Sequence, residues 1–142
     1  MSNIDYKSAG VDIDAGNEAV DRIKDGVKST FTSNVLTGLG SFGSLYDLKP
    51  ILEKYDHPVM VQSIDGVGTK TIIARKLGKF DTIGIDLLSA AANDILVMGA
   101  RPLTFLDYIA NDKLKPKIVE EIVSGMVKAC KETGVSLVGG ET

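Results

Sequence analysis

Apolar residues recur with a helical period in the last third of the chain. From Pro116 onward their spacing is close to 3.6 residues, and Pro116 itself suits the first position of a helix. This pattern predicts a helix over 116–133 that ends at Gly134. The apolar stripe of this helix consists of Ile118, Val119, Ile122, Val123, Met126, Val127 and Cys130.

Two earlier segments show the same kind of periodicity. The first predicts a helix over 17–29, with Asn17 as the N-cap. The second is a long, almost entirely apolar helix over 82–98, which Asp81 or Thr82 would cap and Gly99 would close. Residues 1–16 are small and polar without a sustained period, so we expect a flexible N-terminal arm there.

Three runs rich in apolar residues predict strands. They are "PVMVQSI" (58–64), "RPLTFLDYIA" (101–110), which we expect to be well buried, and "VSLVGG" (135–140). The segment "TKTIIARKL" is ambiguous between a strand and a short helix. Alternating strands and helices predict a mixed α/β domain whose helices cover one face of a mixed sheet.

Composition narrows the class of protein. The 142 residues are 44% hydrophobic and 25% charged, with a net charge of −3, which is typical of one globular domain. No basic block points to nucleic acid or to a membrane surface. A single cysteine, Cys130, excludes an internal disulfide framework, and no apolar run reaches the length of a membrane span, so a cytoplasmic location is expected.

The glycine-rich run "GLGSFG" fits G-x-G-x-x-G at Gly38, Gly40 and Gly43. A dinucleotide-binding turn would need a central strand before it, but the preceding "STFTSNVLT" is polar. The alternatives are a flexible surface loop and a lid whose glycines let the backbone approach a ligand.

Polar side chains interrupt the apolar helix over 82–98. Asp86 and Asn93 are two turns apart and share a face, and Asp94 lies about 100° around from Asn93. A carboxylate on a buried helix must be paired or bind a cation. The other interpretation is structural, with Asp86 favoured by the helix dipole and the Asn93–Asp94 pair bonded to a neighbouring turn, and spacing alone does not decide between them.

Three further acids lie in or beside predicted strands: Asp65, Asp107 and Glu141. Carboxylate and amide oxygens are hard ligands that suit magnesium rather than zinc, and no cluster of His and Cys suits zinc. His57 stands alone in a turn. Acids, glycine turns and a lysine without the P-loop pattern favour a phosphoryl-transfer site.

Several motifs occur together and in order along nearly the whole chain. They are "YKSAGVDIDAGN", "RIK", "GLGSFG", "DGVGTK", "DTIGIDLLSAAANDILVMGARP", "FLDY" and "LVGGET". In this combination the sequence resembles the N-terminal half of the phosphoribosylformylglycinamidine cyclo-ligases, or aminoimidazole ribonucleotide synthetases. The motif "YK.AGVDIDAGN" distinguishes these enzymes from relatives such as the thiamine-phosphate kinases.

The resemblance implies roles for particular residues. It makes Lys24 and Asp65 catalytic, and it places magnesium among three acids, Asp65, Asp94 and Glu141. The remaining residues implied to bind ATP are Gly66, Gly68, Thr69, Lys70, Asn93, Gly139 and Gly140. The loop containing Gly38–Gly43 becomes a mobile loop near the substrates.

The resemblance also implies the reaction and the assembly. Formylglycinamidine ribonucleotide would be cyclised to aminoimidazole ribonucleotide at the expense of ATP, within purine biosynthesis. The N-terminal domains would pair in a homodimer and close a β-barrel. Residues 17–142 would then be an ATP-binding domain without its last strand, the C-terminal domain would lie outside this chain, and the chain would be inactive alone.

Two other interpretations remain open from the sequence. A small-molecule kinase of the same superfamily would share the magnesium acids. A module that only dimerises or binds nucleotide would have no turnover of its own.

Overall fold

The computed structural model describes residues 11–142, which form five helices and two strands. In chain order these are α1 (Ile13–Lys28), α2 (Lys49–Leu52), α3 (Lys70–Leu77), α4 (Ile83–Leu96), β1 (Thr104–Tyr108), α5 (Pro116–Thr133) and β2 (Ser136–Glu141). The predicted mixed α/β class is confirmed, but the sheet of the described residues is a parallel pair and not the expected mixed sheet. Within the described part, no helix combines the length and the apolar character needed to cross a membrane.

Helix α5 is the centre of the core. Its apolar stripe packs between α1 and α4 and extends to β2. Met126 and Cys130 on this stripe are completely buried, as the 3.6-residue period predicts. The helix ends where predicted, because Gly134 takes the left-handed conformation (φ 69°) that favours glycine.

Two glycines let α4 and α5 approach each other closely. A Cβ atom added to Gly84 would overlap the carbonyl oxygen of Ile122, and one added to Gly125 would overlap the carbonyl oxygen of Asp81. Both obstacles are backbone atoms, which cannot move aside as a flexible side chain can. The two helices therefore pack backbone to backbone, which fixes the position of α4 in the fold.

Strands β1 and β2 form a parallel pair. Thr104 lies opposite Ser136 and Tyr108 opposite Glu141, with one irregularity between Phe105 and Leu106. Phe105 packs against the core, whereas Leu106 is 63% exposed and Tyr108 is 73% exposed. The prediction of a well-buried strand here was wrong for one face, since no described element covers the side that carries Leu106 and Tyr108.

Buried hydroxyl groups join the end of α1 to β2. The hydroxyl group of Ser136 donates to the carbonyl of Thr30 (3.1 Å) and accepts from the amide of Thr32 (3.2 Å). The amide of Leu137 donates to the hydroxyl oxygen of Thr30 (3.0 Å). These bonds satisfy polar groups inside the core and fix the strand that contains Gly139 and Gly140.

Helix α1 begins earlier than the sequence predicts. Asp12, not Asn17, is the N-cap, and its carboxylate accepts a hydrogen bond from the amide of Ala15 (3.1 Å). The expected arm over 1–16 is therefore wrong for residues 13–16, which are helical. Residues 1–10 of that arm lie outside the described residues.

The predicted strand over 58–64 is absent. These residues have no regular secondary structure, and Val59, Met60 and Ile64 are exposed. A strand exists only when a neighbour supplies its hydrogen bonds, and in the described part β1 and β2 pair only with each other. The ambiguous segment that follows is helical and forms α3.

The glycine-rich run lies in a hairpin-like loop. Val35 and Tyr46 form an antiparallel bridge, and the amide of Leu36 donates to the carbonyl of Leu45 (2.9 Å). Gly38–Gly43 lies between these two segments, so it does not connect a strand to a helix. A dinucleotide-binding turn is thereby excluded at this position.

Candidate functional site

The loop from Asp65 to Lys70 connects the irregular segment to α3. The carboxylate of Asp65 accepts a hydrogen bond from the amide of Gly66 (2.7 Å), which holds the carboxylate at the start of the turn. Gly68 has φ +56°, in the region that favours glycine, and Thr69 directly precedes the helix. The glycine turn expected from the sequence is therefore present, and its surface is exposed.

Two contacts join this loop region to α4. The ammonium group of Lys70 lies 3.2 Å from Asp86 Oδ1, in a partly exposed ion pair. The hydroxyl group of Ser63 donates a hydrogen bond to Asp94 Oδ2 (2.9 Å). The loop and the polar face of α4 thus form one surface, on which Asp65, Lys70 and Asp94 are accessible.

The polar residues of α4 are more exposed to solvent than the sequence predicts. Asn93, Asp94 and Leu96 are exposed, whereas Ala92 between them and the core is buried. The premise of a carboxylate on a buried helix was therefore wrong for Asp94. Asp86 forms an ion pair with Lys70, an interaction that the sequence did not predict. The helix dipole is therefore not the only source of stabilisation for this carboxylate.

A cavity of about 230 Å³ opens between α3 and the beginning of α4, with Lys70 and Asp86 at its polar edge. Ordinary small-molecule pockets hold about 300–1,000 Å³, so this cavity is too small to enclose a nucleotide. A nucleotide held by the residues of the loop would lie across an open surface of the chain.

The second glycine pair, Gly139–Gly140, lies inside β2 and is paired with β1, so it does not form a turn. A Cβ atom at Gly139 would come within 3.3 Å of Leu106 Cδ2, and one at Gly140 would overlap the carboxylate of Asp107. A side chain at position 140 would therefore displace the carboxylate of Asp107, which lies opposite it in the strand pair. Glu141 follows, with an exposed side chain and a carbonyl that accepts from the amide of Ile109 (2.8 Å).

Burial changes the acid–base properties of two groups near β1. Burial raises the pKa of Asp107 to about 6. Burial, and secondarily the charge of Asp107, raises the pKa of the Cys130 thiol to about 12. Cys130 is therefore a protonated core residue, as its place on the apolar stripe predicts.

We expect Asp107→Asn to remove a pH dependence of stability. The pKa of Asp107 is about 6 in the folded chain and ordinarily 3.8, so folding favours the protonated carboxyl. The contribution of Asp107 to the free energy of unfolding is therefore most favourable below about pH 4, where the carboxyl is protonated in both states. This contribution is lost as the pH rises through about 6 and the folded chain must carry a buried charge. The variant should be more stable than the parent at pH 7.5 by about 1–2 kcal/mol, after allowance for partial exposure, and equal to it near pH 4.

Urea unfolding of the parent and of Asp107→Asn at pH 4, 6 and 7.5 measures this difference. A constant difference in unfolding free energy at all three values would contradict a titrating Asp107. Asp112→Asn, which changes an exposed acid in the loop before α5, is the matched control.

Lys24 makes no hydrogen bond or ion pair with the residues of the 65–70 loop or of α4 in the described part of the chain. It lies on α1, where its ammonium group bonds to Asp21 (2.9 Å), and this hydrogen bond raises the pKa of Lys24. No contact among the described residues places Lys24 beside Asp65 or Asp94. Its catalytic role remains a prediction.

The acids predicted to hold magnesium have suitable chemistry but are not assembled. Asp65, Asp94 and Glu141 are exposed carboxylates, which are hard oxygen ligands. Within residues 11–142, however, no group of three or more His, Cys, Asp or Glu side chains is arranged to hold a metal ion. Magnesium commonly uses one or two protein carboxylates together with phosphate oxygens, so the donor set fits a metal that arrives with a nucleotide.

Two polar residues of this region were not predicted as site residues. Ser63 was placed in a strand, and only its bond to Asp94 gives it a part in the site. Asp107 was noted as an acid of a strand, but its contact with Gly140 could not be read from the sequence.

A protein-family profile and individual known proteins both match this sequence, and both point to one family. The profile of the family described as "AIR synthase related protein, N-terminal domain" matches residues 50–142. A phosphoribosylformylglycinamidine cyclo-ligase of Carboxydothermus hydrogenoformans is 54% identical over 142 residues, which is 100% of this chain and 41% of that protein.

Two further relatives extend the comparison. A phosphoribosylformylglycinamidine cyclo-ligase of Brevibacillus brevis is 53% identical over 137 residues, 96% of this chain and 39% of its own length. A trifunctional purine biosynthetic protein adenosine-3 of Chironomus tentans is 50% identical over 141 residues, 99% of this chain and 10% of its own length. The chain thus spans well under half the length of these relatives.

Proposed function

The chain belongs to the AIR synthase related protein family, and from this membership we propose that it is the nucleotide-binding part of an ATP-dependent phosphoribosylformylglycinamidine cyclo-ligase. The observation that supports the proposal best is the single exposed surface made by the 65–70 loop and α4. Contacts Ser63–Asp94 and Lys70–Asp86 hold its two sides together. The carboxylates of this surface suit magnesium, and its lysine and glycine turn suit the phosphates of a nucleotide.

The proposed reaction activates an amide. The amide oxygen of formylglycinamidine ribonucleotide receives the γ-phosphoryl group of ATP, which gives an imidoyl phosphate and ADP. The neighbouring amidine nitrogen attacks the activated carbon, inorganic phosphate leaves, and the imidazole ring of aminoimidazole ribonucleotide is closed. Phosphorylation is needed because an unactivated amide has no adequate leaving group.

The residues of the chain would serve mainly to position and neutralise charge. Gly66, Gly68 and Thr69 let the backbone approach the phosphates, and Lys70 supplies positive charge next to them. Asp65 and Asp94, with Glu141, Asn93 and the Gly139–Gly140 pair of β2, would hold magnesium and nucleotide. Magnesium, when bound, would offset the negative charge of the phosphates. Lys24 would add a second cation once released from Asp21.

Calorimetry and turnover assays test this proposal. ATP should bind the 142-residue chain in a magnesium-dependent manner, without turnover by the chain alone. A protein extended to the length of its relatives should convert formylglycinamidine ribonucleotide and leave thiamine phosphate unchanged. Phosphorylation of thiamine phosphate would instead favour the kinase, and failure of ATP to bind in the presence of magnesium would refute the proposed role.

We also propose that the exposed face of β1 is covered by a second copy of the chain. Leu106 and Tyr108 project from this face, and contiguous exposed apolar patches larger than a few hundred Å² are uncommon on monomers. A homodimer built through the strands, closing a β-barrel, would bury them.

Sedimentation of the chain should therefore show a dimer at micromolar concentration, and Leu106→Lys should shift it toward monomer. Leu36→Lys is the matched control, because Leu36 is 64% exposed and Leu106 is 63% exposed, but Leu36 lies in the hairpin-like loop. A monomeric parent chain, or an equal effect of the two substitutions, would count against an interface through β1.

A further inference from the structure

The irregular segment over 58–64 has one polar attachment. Among the described residues, the only hydrogen bond that joins this segment to another part of the chain is the one from the Ser63 hydroxyl to Asp94 Oδ2 (2.9 Å). The rest of the segment is largely exposed, including Val59, Met60 and Ile64. The position of the segment relative to α4 therefore depends strongly on a single serine.

This bond also limits the distance between two acids. Asp65 is two residues after Ser63, so their Cα atoms are at most about 7 Å apart. Because Ser63 is bonded to Asp94, the backbone at Asp65 is attached to α4 through this short length of chain. The bond from Gly66 then restricts the orientation of Asp65 itself (2.7 Å).

The geometry of the bond leaves Asp94 able to bind a cation. Ser63 donates to Oδ2, and no hydrogen bond from a described residue reaches Oδ1 of the same carboxylate. A donor on one oxygen fixes the rotation of a carboxylate while the other oxygen remains available. Partners of this kind, which orient a metal ligand without touching the metal, commonly determine metal affinity.

We propose that Ser63 is a positioning residue that orients Asp94 and keeps the Asp65 loop beside it before magnesium and nucleotide bind. This inference rests on the proposed function, since it assigns Ser63 a role at the proposed magnesium–nucleotide site. It explains how two exposed acids, 29 positions apart in sequence, can be held ready on one surface in a chain that has no preassembled cluster of three.

Three variants of the 142-residue chain test the inference. Ser63→Ala removes the donor, and Ser63→Thr retains a hydroxyl. Ser89→Ala is the matched control, because Ser89 is an exposed serine of α4 whose hydroxyl bonds only to the carbonyl of Ile85 in its own helix (2.7 Å). Calorimetry with ATP, in the presence and in the absence of Mg²⁺, gives the affinity of each variant.

We expect Ser63→Ala to weaken Mg²⁺-dependent ATP binding roughly tenfold, at the lower end of the usual effect because the site is exposed. Its weak ATP binding without Mg²⁺ and its melting temperature should equal those of the parent. Ser63→Thr should restore most of the affinity, and Ser89→Ala should leave it unchanged.

The outcomes separate this inference from the function on which it rests. If the parent chain shows no Mg²⁺-dependent ATP binding, the proposed function fails and the role of Ser63 falls with it. If the parent binds and Ser63→Ala binds equally well, only the role of Ser63 is refuted. A loss of affinity that also appears without Mg²⁺, or that Ser63→Thr does not restore, would show a general structural effect and overturn the inference.

Discussion

Gly84→Ala should destabilise the folded chain by about 3 kcal/mol, a large part of the 5–15 kcal/mol typical of a domain. The added Cβ would overlap the carbonyl oxygen of Ile122 and lie 2.9 Å from Met126 Cγ. Helix α4 would have to move away from α5 and lose contacts with the core. Alanine favours a helix over glycine by about 1 kcal/mol, which offsets only part of this loss.

Gly16→Ala is the control for that substitution. Gly16 also lies in a helix, α1, but a Cβ atom there would have nothing within 4 Å. It should therefore stabilise the chain by up to about 1 kcal/mol, opposite in sign to Gly84→Ala. Urea unfolding of both variants measures the two effects, and a Gly84→Ala variant as stable as the parent would contradict the close packing of α4 on α5.

The close contact at Gly84 illustrates what the sequence could predict of the fold. Periodicity identified α4 and α5, because a helix that packs on a core repeats its apolar residues every 3.6 positions. It could not identify Gly84 and Gly125 as the point of contact, because that depends on two helices meeting in space. The start of α1 was misplaced for a local reason, since Asp12 and Asn17 are both acceptable N-caps and only the folded chain distinguishes them.

The missing strand over 58–64 has a different cause. Its composition favours a strand, but a strand is stabilised by a neighbour, and neighbours are not encoded locally. The same limit applies to the buried face assumed for β1. Both faces of β1 were expected to be buried. In the structure Phe105 points to the core, whereas Leu106 and Tyr108 on the other face are exposed.

For the candidate site, motifs in the sequence predicted residue types better than contacts. The loop with Asp65 and Lys70 and the polar residues of α4 could be named in advance. Their pairing through Ser63 and Asp86 could not, because it joins parts of the chain that are far apart in sequence. For Lys24 the opposite holds. A motif predicts it as a site residue, but its contact in the structure is with Asp21 and not with Asp65 or Asp94.

Asp94→Asn should weaken Mg²⁺-dependent ATP binding on the order of 100-fold, because it removes the charge from a proposed magnesium ligand. The fold should be unaffected. Asp94 is exposed, and the oxygen of an asparagine amide can still accept the hydrogen bond from Ser63 that Asp94 Oδ2 accepts now. The loss would therefore report the charge at position 94 rather than the packing of α4.

Calorimetry with ATP over a range of Mg²⁺ concentrations, combined with thermal unfolding, measures this effect. Asp81→Asn is the matched control, since it neutralises an exposed acid just before α4 whose carboxylate lies 4.0 Å from the ammonium group of Lys79. Asp81→Asn should bind ATP and Mg²⁺ as the parent does. If Asp94→Asn instead melts at a much lower temperature and keeps the parent's dependence on Mg²⁺, Asp94 has a structural role and is not a magnesium ligand.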